Sequence, residues 1–342
     1  MGRLMRRRSL AYRYVGNSRR ESEVKRALVI VLVLNAAAAV GSLDGATHDA
    51  ANLENAKTDV IICTDCGVEI DDQWMILHLI QADRFNVSAI FSSHCGRYEY
   101  LPSPQAESSM RKIVDLLDVS GNRGVPVFVG SSCPLETTRS VVHKTADELF
   151  RLVMDYSSKN RMTIVLSGPA TDIASALNKY PEIEDKIRIV ASAFQSRQRG
   201  MSFNVGNDVA AWEVLLDRNV PITVCPGPLA GRLFRISKKS IGTLLNPGTA
   251  VGRHLYKEFL GWIESDADLA ARLTGTEDSW PIWDEVLVSH LLGYSQTEYT
   301  RRPTMLGNGD LDYSRETTLE PVEWIIDADT GTTWQDFKTC VE

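Results

Sequence analysis

Residues 61–80 read IICTDCGVEIDDQWMILHLI. An apolar, β-branched run passes through a short glycine-containing turn into a segment with apolar residues at helical spacing, the signature of a buried strand feeding a helix. Asp65, Glu69, Asp71 and Asp72 all fall inside that turn or at the helix start. A helix N-terminus favours carboxylates, so capping accounts for one acid or two. It does not account for Asp65 facing Asp71 and Asp72 across a tight turn, because like charges that close repel unless something positive lies between them. A divalent cation held by Asp65 and Asp72 is the economical reading. Hard cations take oxygen ligands, and calcium accepts six to eight of them.

Working outward, the strand–helix alternation repeats. VIICT (60–64), VSAIFSS (87–93), VPVFVG (125–130), MTIVLSG (162–168), IRIVASA (187–193) and VPITVCPG (220–227) are apolar throughout, as expected of strands covered on both faces. Helical patterns lie between them, so the expected fold is α/β: an open, mostly parallel, Rossmann-like sheet with helices on both faces. Beyond about residue 230 the pattern turns mainly helical, with a short β-rich tail from 303. Residues 51–342 are expected to form one α/β domain. Ligands of such sheets bind beyond the carboxyl ends of the strands, which is where the acidic turn falls.

The 342 residues carry a formal net charge of -7, which argues against a nucleic-acid partner. Positive charge is concentrated before residue 26. An apolar segment follows, ALVIVLVLNAAAAVGSLDGA, shorter than the roughly twenty residues of a membrane span. A basic region, an apolar core and small residues match an export signal, with cleavage near Ala38 to Ala46. Residues 1–50 are therefore read as a leader of an exported (periplasmic or secreted) protein. An uncleaved membrane anchor is the alternative, and the RRRSL run is a weak twin-arginine cue. The six cysteines show no zinc spacing; Cys63 and Cys66 form a CxxC, but Cys63 ends a strand and reads as a small core residue. Disulfide pairing in an exported chain stays open, as does homo-oligomerisation.

The turn resembles the aspartate-rich DTDPGxDD motif of the inosine/uridine-preferring nucleoside hydrolases, in a longer TDxGxExDDQ form. LSGPATDIASAL (166–177) is similar to that family's GPLTNIA segment, FNVGNDVAAWEVL (203–215) to EFNxxxDPEAA, and WPIWDEVLVSHLL (280–292) to the C-terminal HDPLA segment. The four segments keep the family's order. The resemblance implies a calcium ion bound by Asp65, Asp72, the Thr171 backbone carbonyl and Asp284. It also implies Asp65 as general base, with Asp71 and Asn204 on ribose hydroxyls, and a reaction that hydrolyses the N-glycosidic bond of ribonucleosides to ribose and free base.

Departures from the family pattern also stand in the sequence. The glutamate before Phe-Asn is Ser202, the histidine before the C-terminal aspartate is Trp283, and His94 stands near an expected asparagine. His94 is a candidate proton donor to the leaving group, Glu69 a candidate replacement for the missing hydroxyl contact, and Trp283 and Trp280 candidate stacking surfaces. Two other readings remain: a metal- and sugar-binding relative without turnover, or a hydrolase of a different riboside. A phosphate-handling α/β enzyme would leave the segments around Thr171, Asn204 and Asp284 unexplained.

Overall fold

A computed structural model of the protein describes residues 57–96 and 100–342. The expected leader, 1–50, lies outside them. Six strands follow in sequence: β1 (Thr58–Thr64), β2 (Phe85–Ser92), β3 (Val127–Val129), β4 (Met162–Leu166), β5 (Ile187–Ser192) and β6 (Ile222–Cys225). Each coincides with one of the apolar runs. The C-terminal third adds a short antiparallel ribbon, β7 (Arg235–Ser237) with β8 (Ser279–Pro281), then β9 (Ser295–Thr300), a second ribbon, β10 (Thr304–Met305) with β11 (Leu311–Asp312), and β12 (Val322–Ala328).

The main sheet has eight strands in the order β3-β2-β1-β4-β5-β6-β12-β9, all parallel except edge strand β9. The chain runs outward from β1 to β3, then returns to place β4 on the other side of β1. Ile62 accordingly sits between Ile90 of β2 and Val165 of β4. This reversal between β1 and β4 is the topological switch point, where crossover loops leave in opposite directions and open a crevice at the strands' carboxyl ends.

Side chains alternate across the pleat. Val60 and Ile62 enter one core with Trp74, Phe259 and Phe337; Ile61 and Cys63 enter the opposite core with Ile173, Leu177 and Trp212. Cys66 belongs to the first core and Cys63 to the second, so the CxxC pair is split between layers, and all six cysteines are free thiols.

The C-terminal region departs from the expected helical character. β12 pairs parallel with β6, Val322 opposite Ile222, and antiparallel with β9, Val322 opposite Thr300. β9 reads SQTEYT, with no apolar run, because an edge strand keeps much of its surface in water. A further helix, Thr330–Val341, buries Phe337 and Val341 against the helix Asp71–Gln81. Among the described residues no helix is long and apolar enough to cross a membrane.

Candidate active site

The acidic turn leaves β1 at Thr64. Gly67, at φ 100°, makes the bend, and a side chain there would press on Lys112. The helix Asp71–Gln81 then begins with Asp71 and Asp72 in its first turn; Ile70 occupies the capping position and supplies no side-chain cap. Asp72 is aimed by hydroxyls from two neighbouring strand ends. Thr64 Oγ1 and Ser167 Oγ both donate to its Oδ1, the latter at 2.8 Å. Opposite, Gly168 passes so close that a Cβ there would lie 2.8 Å from the Asp65 nitrogen. Only glycine lets the β4 end approach the β1 end this tightly.

Asp284 reaches the same place from the far end of the sequence, as the residue before the helix Glu285–Leu291. One carboxylate oxygen each from Asp71, Asp72 and Asp284 lies within 4.8 Å of the other two, all buried. Asp65 joins them electrostatically, and its buried Oδ2 has no hydrogen-bond partner. No lysine, arginine or histidine among the described residues forms an ion pair with any of the four.

The electrostatics follow. Burial, then Asp72 and Asp71, push Asp65 well above the ordinary carboxylate range. Burial, then Asp72 and Glu69, do the same to Asp71. Burial, then Asp71, Asp72 and Asp65, do so to Asp284. Asp72 is also raised by burial, but hydrogen bonds from Thr64 and Ser167 offset part of it. Glu69, at the rim, is pushed up to about 8 by burial and by Asp72, with the Trp280 indole N–H acting in the opposite direction. A buried, oxygen-only donor set with an orphaned carboxylate oxygen and no protein cation fits a hard metal ion.

A second network lies beside the first. Thr171 opens the helix Thr171–Lys179, and its hydroxyl donates to Asp208 Oδ2 at 2.6 Å and sits 2.9 Å from His94 Nε2. His94 Nδ1 accepts the Gly96 N–H at 2.8 Å. With Nδ1 an acceptor, Nε2 carries the proton and donates to Thr171. Burial lowers the His94 pKa to about 4, so the ring is neutral at physiological pH with both nitrogens engaged. That arrangement orients Thr171.

The other expected contacts are distributed around the crevice. Asn204, on the short helix Phe203–Asn207, donates its amide to Ser167 O at 2.6 Å and Ser192 O at 3.2 Å, bonds that leave its carbonyl oxygen unused. Ser202 does not replace the glutamate contact: its hydroxyl accepts the N–H of Phe194 at 3.0 Å. Phe194 itself sits at φ 66°, a strained conformation for a bulky residue, held by packing on Trp212 and Trp324. Trp283 stands edge-to-face on Trp280 with centroids 5.7 Å apart, and its indole nitrogen is packed against Gly231.

Sequence reasoning missed Thr64 and Ser167, which orient Asp72 without bearing charge. Asn207 gained no role from the sequence; it is buried with both polar side-chain atoms unpartnered and packed against Gly96. A polar residue three positions from Asn204, on the same face of that short helix, was the available signal.

A ring of buried carboxylates, a donor set that fits a metal ion, lies at the switch point of a doubly wound sheet. The chain belongs to the inosine-uridine preferring nucleoside hydrolase family, whose model matches residues 60–336. It is 26% identical over 190 residues to the pyrimidine-specific ribonucleoside hydrolase RihA of Escherichia coli, a match covering 48% of this chain and 58% of RihA. The chain thus spans little more than half the length of that curated relative. Among solved structures, the purine-preferring ribonucleoside hydrolase from Gardnerella vaginalis superposes with a TM-score of 0.69 at 18% identity, covering 83% of this chain and 98% of that one. The type III effector protein XopQ complexed with adenosine diphosphate ribose gives 0.62 at 12% identity, covering 86% and 98%. These two likenesses concern the fold.

Proposed function

We propose that the protein hydrolyses the N-glycosidic bond of ribonucleosides, releasing ribose and free base, with a calcium ion held by Asp65, Asp72, Asp284 and the Thr171 carbonyl. The observation that carries this reading is the convergence of the Asp71, Asp72 and Asp284 carboxylates within 4.8 Å beside the orphaned oxygen of Asp65, with no protein cation between them. When bound, calcium would supply a Lewis acid that lowers the pKa of a water and grips a sugar diol.

The protein's own groups do the rest. Asp65 takes a proton from the attacking water, whose oxygen bonds to the anomeric carbon as the carbon–nitrogen bond breaks and its electron pair leaves with the base. Thr64 and Ser167 keep Asp72 from rotating, and the Asp208–Thr171–His94 chain fixes the start of the helix that presents the Thr171 carbonyl. Asp71 and the Asn204 oxygen accept from ribose hydroxyls. Glu69, half-buried, would add a further polar contact, and Trp283 an apolar wall.

Three features favour a second reading for the leaving group. Ser202 accepts the Phe194 N–H, Trp283 is packed on Gly231, and His94 is neutral with both nitrogens engaged, so none of these three is poised to protonate a base. Ribosides whose leaving group departs without that help, or saturable sugar binding without turnover, suit this pocket.

The test is a panel of purine and pyrimidine nucleosides and an aryl riboside with an activated leaving group, assayed with calcium, with magnesium and with chelator. Chelator-sensitive release of free base restored by calcium supports the proposal. Turnover of the aryl riboside alone supports the restricted substrate class, and saturable ribose binding with no turnover of any substrate overturns the enzymatic reading.

A further inference from the structure

The helix Asp71–Gln81 carries a second chemical cluster two turns beyond its acids. His78 is wholly buried, with Nδ1 2.5 Å from Glu285 Oε1 and Nε2 2.9 Å from Asp336 Oδ1. Cys340 lies one turn beyond Asp336 on the helix Thr330–Val341, and that four-residue spacing puts both side chains on one face. Its sulfur is 3.8 Å from the same Asp336 oxygen. The donor atoms of His78, Asp336 and Cys340 all fall within 4.8 Å of one another.

We propose that His78 Nε2, Asp336 and the Cys340 sulfur form a second metal site, selective for a transition metal of the zinc class. A metal-ligating histidine characteristically anchors its other ring nitrogen on a carboxylate, which fixes the ring and raises its basicity; Glu285 occupies that position. Nitrogen, oxygen and sulfur donors suit a borderline-soft ion, unlike the oxygen-only ring around Asp284. Charge points the same way. Glu285 Oε2 is buried without a partner, so two carboxyl groups face a single imidazole.

Asp336 also lines a surface cleft of about 390 Å³ with Tyr294, Thr332, Gln335 and Thr339, the route by which an ion would reach the cluster. Binding would release the protons of the thiol and of Nε2 to solvent. The ion would pin the C-terminal helix to the helix that begins with Asp71 and Asp72.

Cobalt(II) is the probe. The full-length protein is stripped of metal, saturated with calcium to occupy the acidic ring, and titrated with cobalt(II). One equivalent is expected, with a thiolate-to-cobalt charge-transfer band in the near ultraviolet and proton release. Cys340→Ser is expected to abolish the band and weaken binding at least about tenfold, and Asp284→Ala to leave both unchanged. Cys340 is partly exposed, so the serine variant folds, which unchanged circular dichroism verifies. A wild-type titration without the thiolate band overturns the proposal. So does a serine variant that retains the band and stoichiometry, or an Asp284→Ala variant that loses them.

Discussion

Replacing Asp284 with asparagine should stabilise the metal-free protein while weakening its response to calcium, two effects of opposite sign from one substitution. Carboxylate oxygens 4.8 Å apart, as in the ring of Asp71, Asp72 and Asp284, repel by about 3.5 kcal/mol per ionised pair at an effective dielectric of about 20. Three such pairs approach the whole stability of a typical domain, so without metal at least one carboxyl takes up a proton. That proton costs about 4 kcal/mol at pH 7, roughly three units above the unfolded aspartate value. Asparagine removes the need for it.

The gain therefore reaches about 4 kcal/mol at pH 7, or about 6 °C in a chain of this size. Because the Asp284 pKa is raised in the folded state, the wild-type protein keeps its full stability below the unfolded value and loses it as pH rises. The advantage of the variant accordingly vanishes near pH 4. Calcium at a hundredfold its Kd adds about 2.7 kcal/mol to the wild type, but at most about 1.4 kcal/mol to a variant whose affinity has fallen tenfold or more. Thermal melts in chelator at pH 4.5 and pH 7, repeated with calcium, read all three quantities. A metal-free variant that melts below wild type at pH 7, or a difference that does not change with pH, refutes the electrostatic account of this ring.

Asp65→Asn should lower free-base release by about 10²- to 10⁴-fold, the range for losing a general base; a wild-type rate removes Asp65 from that role. Ser167→Ala deletes one of the two hydroxyls on Asp72 Oδ1, a hydrogen bond to a charged group worth about 1.5–3 kcal/mol, so calcium affinity measured by calorimetry should fall about ten- to a hundredfold. His94 titrates near 4 in the folded protein and near 6.5 when unfolded, so the wild type should lose stability as pH falls between those values. In acid melts His94→Gln should lose less over that interval, and an equal loss would contradict the neutral His94. Asn204→Ala should raise KM for a nucleoside more than it lowers kcat if its carbonyl meets a sugar hydroxyl throughout the reaction, and steady-state kinetics separates the two.

The six strands β1 to β6 were legible because each carries an apolar run, wholly buried in β4 and β6 and nearly so in β1 and β5. β9 and β12 were not. SQTEYT carries no hydrophobic run, and VEWIIDA finds its parallel neighbour in β6 about a hundred residues earlier, a pairing that local pattern cannot encode. Within the site, Asp65, Asp71 and Asp72 announced themselves by crowding like charges, and Asp284 through the family resemblance of its segment. Thr64, Ser167 and Gly168 act by hydrogen bonding and by lacking a side chain, which leaves no distinctive mark in a linear sequence. His78 reads as one more position of an apolar helix; only the fold shows that Glu285 and Asp336 meet it.

The insertion of β12 between β6 and β9 sets an order of assembly. Asp71 and Asp72 are synthesised more than two hundred residues before Asp284, and the helix bearing Asp284 is held by a strand and a helix that come later still. A chain emerging from the ribosome therefore carries its first acids apart from the one that completes the ring, and no early intermediate concentrates all of the negative charge. Any ion that needs the whole ring then recognises only chains that have finished folding, and its occupancy serves as a readout of completed assembly.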